Sequence, residues 1–293
     1  MMVSLAVSVL MLTGKLTAYG ITHSAAMLAD AAESVVHGVA TAFAAFSLWY
    51  AAKPADDCHP YGHGRIVYFS TGFEGALVLA ASIAVVYSGF EGLIIGTQLK
   101  RLGLGLIIAG ALALINLILG IALISIGKRH NALVLIANGQ HVLSDFWTTA
   151  GAILGVSLVK ITGIQWFDPV AAIALGMWIM FSGISLIRQS FSGLMDSVEP
   201  AQSQQLAEHL RQQVRDGRIA DFHQLRSRLV NDEVWIDVHM LLPGDLPLAQ
   251  AHARVTEVEE SMRSKFSAAT VHIATHIEPA DHDAAHPGGH SSP

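Results

Sequence analysis

The stretch LADAAESVVH, from Leu28 to His37, places three ionisable side chains inside an apolar segment long enough to span a membrane. On an α-helix, positions three and four residues apart lie on one face, so Asp30, Glu33 and His37 share a face. A carboxylate at the centre of a spanning helix costs about 2.5 to 3.5 kcal/mol and normally faces a partner or a cavity. The stretch therefore predicts a spanning helix with a functional polar face.

A later apolar segment carries a comparable pair of an imidazole and a carboxylate, His141 and Asp145, which are also four residues apart. If the two helices meet, four ligands can converge on one divalent cation: Glu33, His37, His141 and Asp145. Two imidazoles and two carboxylates suit tetrahedral Zn²⁺ and accept Fe²⁺, Co²⁺, Mn²⁺ or Ni²⁺. Protonation of the histidines as the metal leaves would couple its movement to a counter-flow of protons. Asp30 is a secondary candidate for the same vestibule.

The composition is that of a membrane protein. Hydrophobic residues make up 52% and charged residues 14% of the chain, against about 25% charged residues in soluble domains, and the mean hydropathy is +0.48. The single cysteine, Cys58, excludes an intrachain disulfide. A net charge of −6 without a basic cluster gives no reason to expect nucleic acid as a partner.

At about 20 apolar residues per crossing, residues 1–192 are predicted to form an all-α membrane domain of six spanning helices. The spans are about 2–20, 24–50, 67–95, 102–126, 132–160 and 167–190. The first has no basic region or cleavage site, so it is interpreted as a helix and not a signal peptide. Asp168 is predicted to cap the sixth helix, with Pro169 in its first turn.

An even number of spans puts both termini on one side of the bilayer. Five basic residues on the predicted inner side, against three on the outer side, favour cytosolic termini and a multi-pass protein of the inner or plasma membrane. Glu74 and Glu91 lie in the third span without an i, i+4 partner. They are interpreted as structural or interfacial residues.

Residues 199–279 are predicted to form a small soluble α+β domain of ferredoxin-like or metallochaperone-like type. The pattern is a helix (201–216), two strands (222–230 and 234–242), a second helix (248–266) and a last strand (270–278). This αββαβ order places helices on one face of the sheet. Residues 280–293 are rich in Gly, Pro and His and are predicted to be disordered.

The loop after the second span reads HPYGHGR, residues His59 to Arg65. It resembles the loop signature of the cation diffusion facilitator family, which are dimeric six-helix exporters of zinc and related divalent metals. The Lys15 to Ser24 spacing, the acidic second helix, the His-x-x-x-Asp pair and the soluble domain agree with this resemblance. It extends from about Lys15 to Pro279.

The resemblance implies three metal sites. The transport site of the family combines an i, i+4 pair on the second helix with His and Asp on the fifth, which by position are Glu33, His37, His141 and Asp145. The family pair is commonly Asp/Asp or His/Asp, so Glu33/His37 is a departure that bears on metal preference. The loop site corresponds to Asp56, His59 and His63, with Cys58 as an additional soft ligand; the alternative is a plain glycine-rich turn. The cytosolic site corresponds to His223, His239, His252, His276 and Glu278; the alternative is solvated histidines.

The function implied is a homodimeric secondary transporter in the lipid bilayer. It would export a divalent transition metal from the cytosol, Zn²⁺ first and Fe²⁺, Co²⁺, Ni²⁺, Mn²⁺ or Cd²⁺ next, with protons as the counter-ion and the metal as a possible regulator. A membrane-bound metalloenzyme is the alternative, but no His-Glu-x-x-His pattern or separate general base is present, so no enzyme is predicted. A metal-sensing membrane protein is a third possibility.

Overall fold

The computed structural model describes residues 2–96, 99–129, 133–198, 200–230, 233–266 and 270–280. The predicted tail lies outside the described residues from residue 281 onward. The chain divides into two compact units. The first comprises Met1–Trp49 and Phe69–Ser190, and the second comprises Tyr50–Tyr68 and the chain from Phe191 onward.

Six long helices form where apolar spans were predicted. They are α1 (Met2–Thr22), α2 (Ala25–Ala51), α3 (Ile66–Ile95), α4 (Leu102–Arg129), α5 (Leu133–Thr162) and α6 (Phe167–Leu194). Within the described residues, α2 to α6 each contain a segment long and apolar enough to cross a membrane. The predicted helical membrane domain is therefore confirmed.

Mostly small side chains, four of them alanines, fill the interior of the first unit where four helices meet. The buried cluster consists of Ala18, Ala26, Met27, Ala109, Ala152 and Val156. Large apolar side chains point outward instead: Ile107, Trp178 and Phe181 are 70%, 66% and 72% exposed. Lipid tails solvate such a surface as well as a protein core would, so close packing of small residues holds the helices together.

Helices α3 and α6 approach each other at a pair of glycines. A Cβ atom on Gly75 would lie 2.9 Å from the carbonyl oxygen of Gly183, and one on Gly183 would lie 3.1 Å from the carbonyl oxygen of Gly75. Real side chains do not tolerate the first of these distances. The absence of side chains at both positions therefore sets the spacing of these two helices.

The start of α2 is held by a carboxylate from α6. Asp168 accepts hydrogen bonds from the Ser24 hydroxyl and from the backbone N–H groups of Ala25 (2.9 Å) and Ala26 (3.3 Å). The two N–H groups have no hydrogen-bond partner within α2, because they lie in its first turn, and a negative charge is favourable at a helix N-terminus. The prediction that Asp168 caps the sixth helix is wrong, because α6 begins at Phe167 and the carboxylate serves the neighbouring helix.

A buried ion pair links α1 to α2. Lys15 Nζ lies 2.7 Å from Asp30 Oδ1, and each side chain is 2% exposed. The Thr149 hydroxyl of α5 donates a hydrogen bond to the same Asp30 oxygen (2.8 Å) and lies 2.8 Å from the Asp145 carbonyl oxygen. Asp30 therefore holds three helices together.

The second unit contains the predicted αββαβ domain. It comprises α7 (Pro200–Arg215), β1 (Asp221–Val230), β2 (Glu233–Leu242), α8 (Leu248–Arg263) and β3 (Thr270–Pro279). The sheet order is β1-β2-β3, with β1 antiparallel and β3 parallel to the central strand. Val238 and Met240 of β2 pack with Leu210 of α7 and with Val255 and Val258 of α8. The helices therefore cover one face of the sheet, as the pattern predicted.

The Lys15–Asp30 pair generates a stability prediction. The Lys15→Met variant leaves an uncompensated buried carboxylate, so we expect the free energy of unfolding to fall by about 3 to 5 kcal/mol. The double variant Lys15→Met/Asp30→Asn removes both charges and is expected to regain most of this loss. Thermal unfolding of the purified protein in detergent measures both effects. Equal midpoints for the wild type and Lys15→Met would contradict the prediction.

Candidate metal-binding sites

Helices α2 and α5 bring together three of the four predicted membrane ligands. One ligand atom from each of Glu33, His37 and Asp145 lies within 4.8 Å of the other two, and all three side chains are half-buried. Glu33 and His37 come from consecutive turns of α2, with Glu33 Oε1 3.8 Å from His37 Nε2. The side chain of His141 lies outside the described residues, although its backbone is in α5, one turn before Asp145.

The electrostatics of this cluster suit a divalent cation. Two carboxylates and one imidazole converge where the surrounding helices are apolar, so the carboxylate charges have little solvent to stabilise them. Glu33 Oε2 is buried and has no hydrogen-bond partner within the described part of the chain. A buried carboxylate oxygen without a partner is costly, and a bound cation would remove this cost.

Glu74 lies next to the cluster, which the sequence did not predict. Glu74 is on α3, and its Oε1 lies 3.8 Å from His37 Nδ1. The sequence signal was present, since an acid in an apolar helix is expensive. No residue of a metal-binding type lies three or four positions from Glu74 on α3, so helix periodicity does not identify its partner, which is His37 on α2. A small cavity beside these residues is lined by Glu33, His37, Val78, Ile179 and Ser182, among others.

Asp30 interacts with residues other than those of the Glu33, His37 and Asp145 cluster. Its carboxylate is paired with Lys15 and Thr149 as described above. The carboxylate is therefore already matched by a cation and a donor. Of the three ionisable residues in the opening stretch, the structure brings Glu33 and His37 into the cluster and gives Asp30 a separate partner.

The predicted loop ligands come together between α2 and α3. His59 Nδ1 lies 3.0 Å from Asp56 Oδ1, and His63 Nε2 lies 3.3 Å from Asp56 Oδ2. Gly62 makes this turn possible, since its φ of +78° is a conformation that side chains disfavour. His63 is buried and its Nδ1 has no hydrogen-bond partner among the described residues, while Cys58 is exposed.

Hydrogen bonds favour the ionised form of the Asp56 carboxylate. Hydrogen bonds from the His59 backbone N–H (2.7 Å), the His59 ring and the Cys58 backbone N–H (3.0 Å) hold the pKa of Asp56 below its usual value. The carboxylate is therefore ionised at neutral pH. The stability that ionised Asp56 adds to the folded state is present above the pKa of Asp56 in the unfolded chain. It is lost as the pH falls through the lower pKa of the folded state.

Further hydrogen bonds tie this loop into the second unit. Nη2 of Arg65 donates hydrogen bonds to both carboxylate oxygens of Asp196, at 2.7 and 2.8 Å, and the Tyr68 hydroxyl donates to the carbonyl oxygen of Leu229 (2.8 Å). The ring of Tyr61 packs edge-on against Trp235 of β2. The loop cluster and the sheet therefore belong to one compact unit.

A third cluster lies on the sheet face opposite α7 and α8. His223, His239 and His276 are register partners on β1, β2 and β3, and a bulge after His223 interrupts the β1 register. Glu278 is 3% exposed, with its carboxylate 2.8 Å from His239 Nδ1, 3.3 Å from His223 Nε2 and 3.5 Å from His276 Nε2. Ligand atoms of His223, His239 and Glu278 all lie within 4.8 Å of one another.

The two remaining predicted cytosolic ligands, His276 and His252, lie at different distances from this cluster. His276 is at the rim of the cluster and is 62% exposed. His252 is exposed on α8, the helix that packs on the other face of the sheet through Val255 and Val258. Within the described chain, the structure therefore does not bring His252 to the other four residues.

The chain matches two protein-family models along almost its whole length. Residues 1–195 match the cation efflux transmembrane domain, and residues 198–280 match the cytoplasmic domain of cation efflux proteins. Together they cover both the helical and the α+β parts of the chain.

Three relatives align over most of their lengths. The uncharacterised transporter sll1263 of Synechocystis sp. is 35% identical over 268 residues, which is 91% of this chain and 85% of that protein. The cation-efflux pump FieF of Shewanella oneidensis is 27% identical, covering 92% of this chain and 90% of the pump. The magnetosome protein MamB of Paramagnetospirillum magneticum is 27% identical, covering 88% and 86%.

The loop cluster predicts one metal-binding site per chain. We expect His59→Ala to remove one bound Zn²⁺ in equilibrium dialysis, because it removes one of three ligands. Asp57→Ala, which removes a neighbouring exposed acid outside the cluster, is the matched control and should leave the stoichiometry unchanged. An unchanged zinc content in His59→Ala would favour a simple turn.

The sheet cluster predicts stabilisation by metal. A site at 100 times its Kd in free Zn²⁺ contributes about 2.7 kcal/mol, so Zn²⁺ should raise the thermal midpoint of the full chain. Glu278→Gln should reduce this rise, whereas His252→Ala should keep it. A His252→Ala loss as large as that of Glu278→Gln would show that the ligand set is wrong.

Proposed function

The chain belongs to the cation diffusion facilitator family of metal-efflux transporters, and we propose that it exports a divalent transition metal from the cytosol in exchange for protons. The observation that carries this proposal is the convergence of Glu33, His37 and Asp145 between α2 and α5. Ionisable groups inside spanning helices are costly, and those without a structural partner normally face a cavity and mark an ion pathway. The family is one of transporters, which disfavours the alternative of a metalloenzyme.

We propose Zn²⁺ as the principal substrate, with His141 as the fourth ligand. Two imidazoles and two carboxylates match the tetrahedral coordination of Zn²⁺. The same ligands accept Fe²⁺, Co²⁺, Ni²⁺, Mn²⁺ and Cd²⁺, and affinity order alone does not choose among them. The Glu33/His37 pair, where relatives commonly carry Asp/Asp or His/Asp, is the place where selectivity would differ.

Protons are the proposed counter-ion because the cluster carries unmatched negative charge. A dication neutralises Glu33 and Asp145. When it leaves, two carboxylates face each other among apolar helices, and uptake of protons by the ligands restores neutrality. Metal release and proton uptake would therefore occur at the same groups, with the helices rocking around a fixed site.

The remaining features fit a regulated homodimer in the inner or plasma membrane with cytosolic termini. The α+β domain matches the cytoplasmic domain of cation efflux proteins, and we propose that it dimerises and binds regulatory metal at His223, His239 and Glu278. Zinc bound there would favour the conformation that binds it more tightly. The loop cluster of Asp56, His59 and His63 is proposed as an additional site.

The test uses purified protein in sealed liposomes with an imposed pH gradient and a metal-sensitive dye inside. The wild type is expected to carry Zn²⁺ with opposite proton movement. Asp145→Ala and His141→Ala should each reduce the flux to background, because each removes a ligand from the membrane site. Undiminished metal flux in either variant would contradict the site assignment.

Two controls keep this test specific. Glu91→Ala removes an exposed acid from α3 and should retain wild-type flux. Size-exclusion chromatography should show that the Asp145→Ala and His141→Ala variants remain folded dimers. Zinc binding to the wild type without any flux would favour a metal-sensing protein instead.

A further inference from the structure

His37 lies between two carboxylates that come from different helices. Its Nε2 is 3.8 Å from Glu33 Oε1 on α2, and its Nδ1 is 3.8 Å from Glu74 Oε1 on α3. One ring nitrogen thus faces a member of the metal cluster, and the other faces an acid that belongs to neither predicted ligand pair. Among the described residues, His37 is the charged or polar side chain that lies next to the Glu74 carboxylate.

An imidazole that binds a metal through one nitrogen usually donates its other N–H to a carboxylate. That outer carboxylate fixes the ring orientation and tautomer and makes the imidazole a better ligand. We propose that Glu74 is the positioning residue for His37, so that Nδ1–H is held toward α3 and Nε2 is left to bind the metal. The separation of 3.8 Å is longer than a hydrogen bond, so the proposal requires a side-chain rotation that closes this contact when a metal binds Nε2.

The backbone around Glu74 is fixed by contacts on both sides. Phe73 packs on Phe43 of α2, with ring centroids 4.8 Å apart. Gly75 abuts Gly183 of α6 so closely that no side chain would fit between them. The Glu74 side chain is 28% exposed, and these contacts of its two neighbours place its backbone beside His37. An outer partner is effective when packing positions the backbone that carries it.

The inference also gives a reason for the unusual ligand pair. A carboxylate at position 37 would need no N–H acceptor on α3, and Glu74 would then add a repulsive charge beside it. An imidazole at position 37 does need an acceptor. The Glu33/His37 pair and Glu74 are therefore expected to act together.

The experiment measures equilibrium Zn²⁺ binding to the full chain in detergent by competition with a zinc-sensitive dye. The difference between the wild type and Asp145→Ala defines the membrane site. Glu74→Ala should weaken that site about 10- to 100-fold. Glu74→Gln should lose less, because its amide oxygen still accepts from Nδ1–H, and Glu91→Ala on the same helix should lose nothing.

A double-mutant cycle separates positioning from direct ligation or general destabilisation. In a His37→Asp background, Glu74→Ala should no longer weaken binding, because the imidazole through which Glu74 acts is absent. An equal loss in both backgrounds would overturn the inference, and so would unchanged affinity of Glu74→Ala in the wild-type background. The thermal midpoint without metal checks the fold, and Glu74→Met replaces Glu74→Ala if the shorter side chain leaves a destabilising gap.

This inference rests on the proposed membrane metal site, and the two can fail separately. If Asp145→Ala binds as much Zn²⁺ as the wild type, the metal assignment itself is wrong. If Asp145→Ala loses a site but Glu74→Ala keeps its affinity, the metal site stands and the role of Glu74 is wrong.

Discussion

The buried carboxylate of Asp30 requires a cation and a hydrogen-bond donor, and meeting that requirement joins three helices. Lys15 supplies the cation from α1, and Thr149 supplies a hydroxyl from α5. Asp30 lies one turn before Glu33, and Thr149 lies one turn after Asp145. The contact between Asp30 and Thr149 therefore sets α2 and α5 at the relative height at which the proposed metal ligands meet. The membrane cluster depends on this neighbouring pair, which is itself fully neutralised.

The same constraint distinguishes structural from functional charges in the helical unit. Asp30 is matched by Lys15, and Asp168 is matched by the N–H groups at the start of α2. Glu33 and Asp145 converge with one imidazole, and a Glu33 oxygen has no hydrogen-bond partner among the described residues. Their charge is thus available for a dication. Acids neutralised by a cation or by backbone N–H groups hold the helices together, and the acids of the Glu33, His37 and Asp145 cluster are the ones we propose for substrate binding.

In the second unit, a sheet instead of helices brings imidazoles and a carboxylate together. Histidines at matching positions of three strands surround one buried acid, Glu278. The period of two along a strand puts Val238 and Met240 under the helices and His239 on the opposite face. A packed core on one face therefore fixes the candidate ligands on the other, and His252 on α8 lies on the far side of the sheet from them.

The sequence by itself determined the elements and the faces of each one. Apolar run length gives the helices, the i, i+4 spacing puts Glu33 with His37 and His141 with Asp145, and alternation gives the αββαβ domain. Only the tertiary structure decided which element meets which: that Lys15 neutralises Asp30, that Asp168 caps α2, that Glu74 faces His37, and that His252 lies apart. The reason is physical. Periodicity describes one element at a time, whereas the partner of a buried charge comes from another helix, and its identity depends on how small residues such as Gly75 and Gly183 let the helices pack.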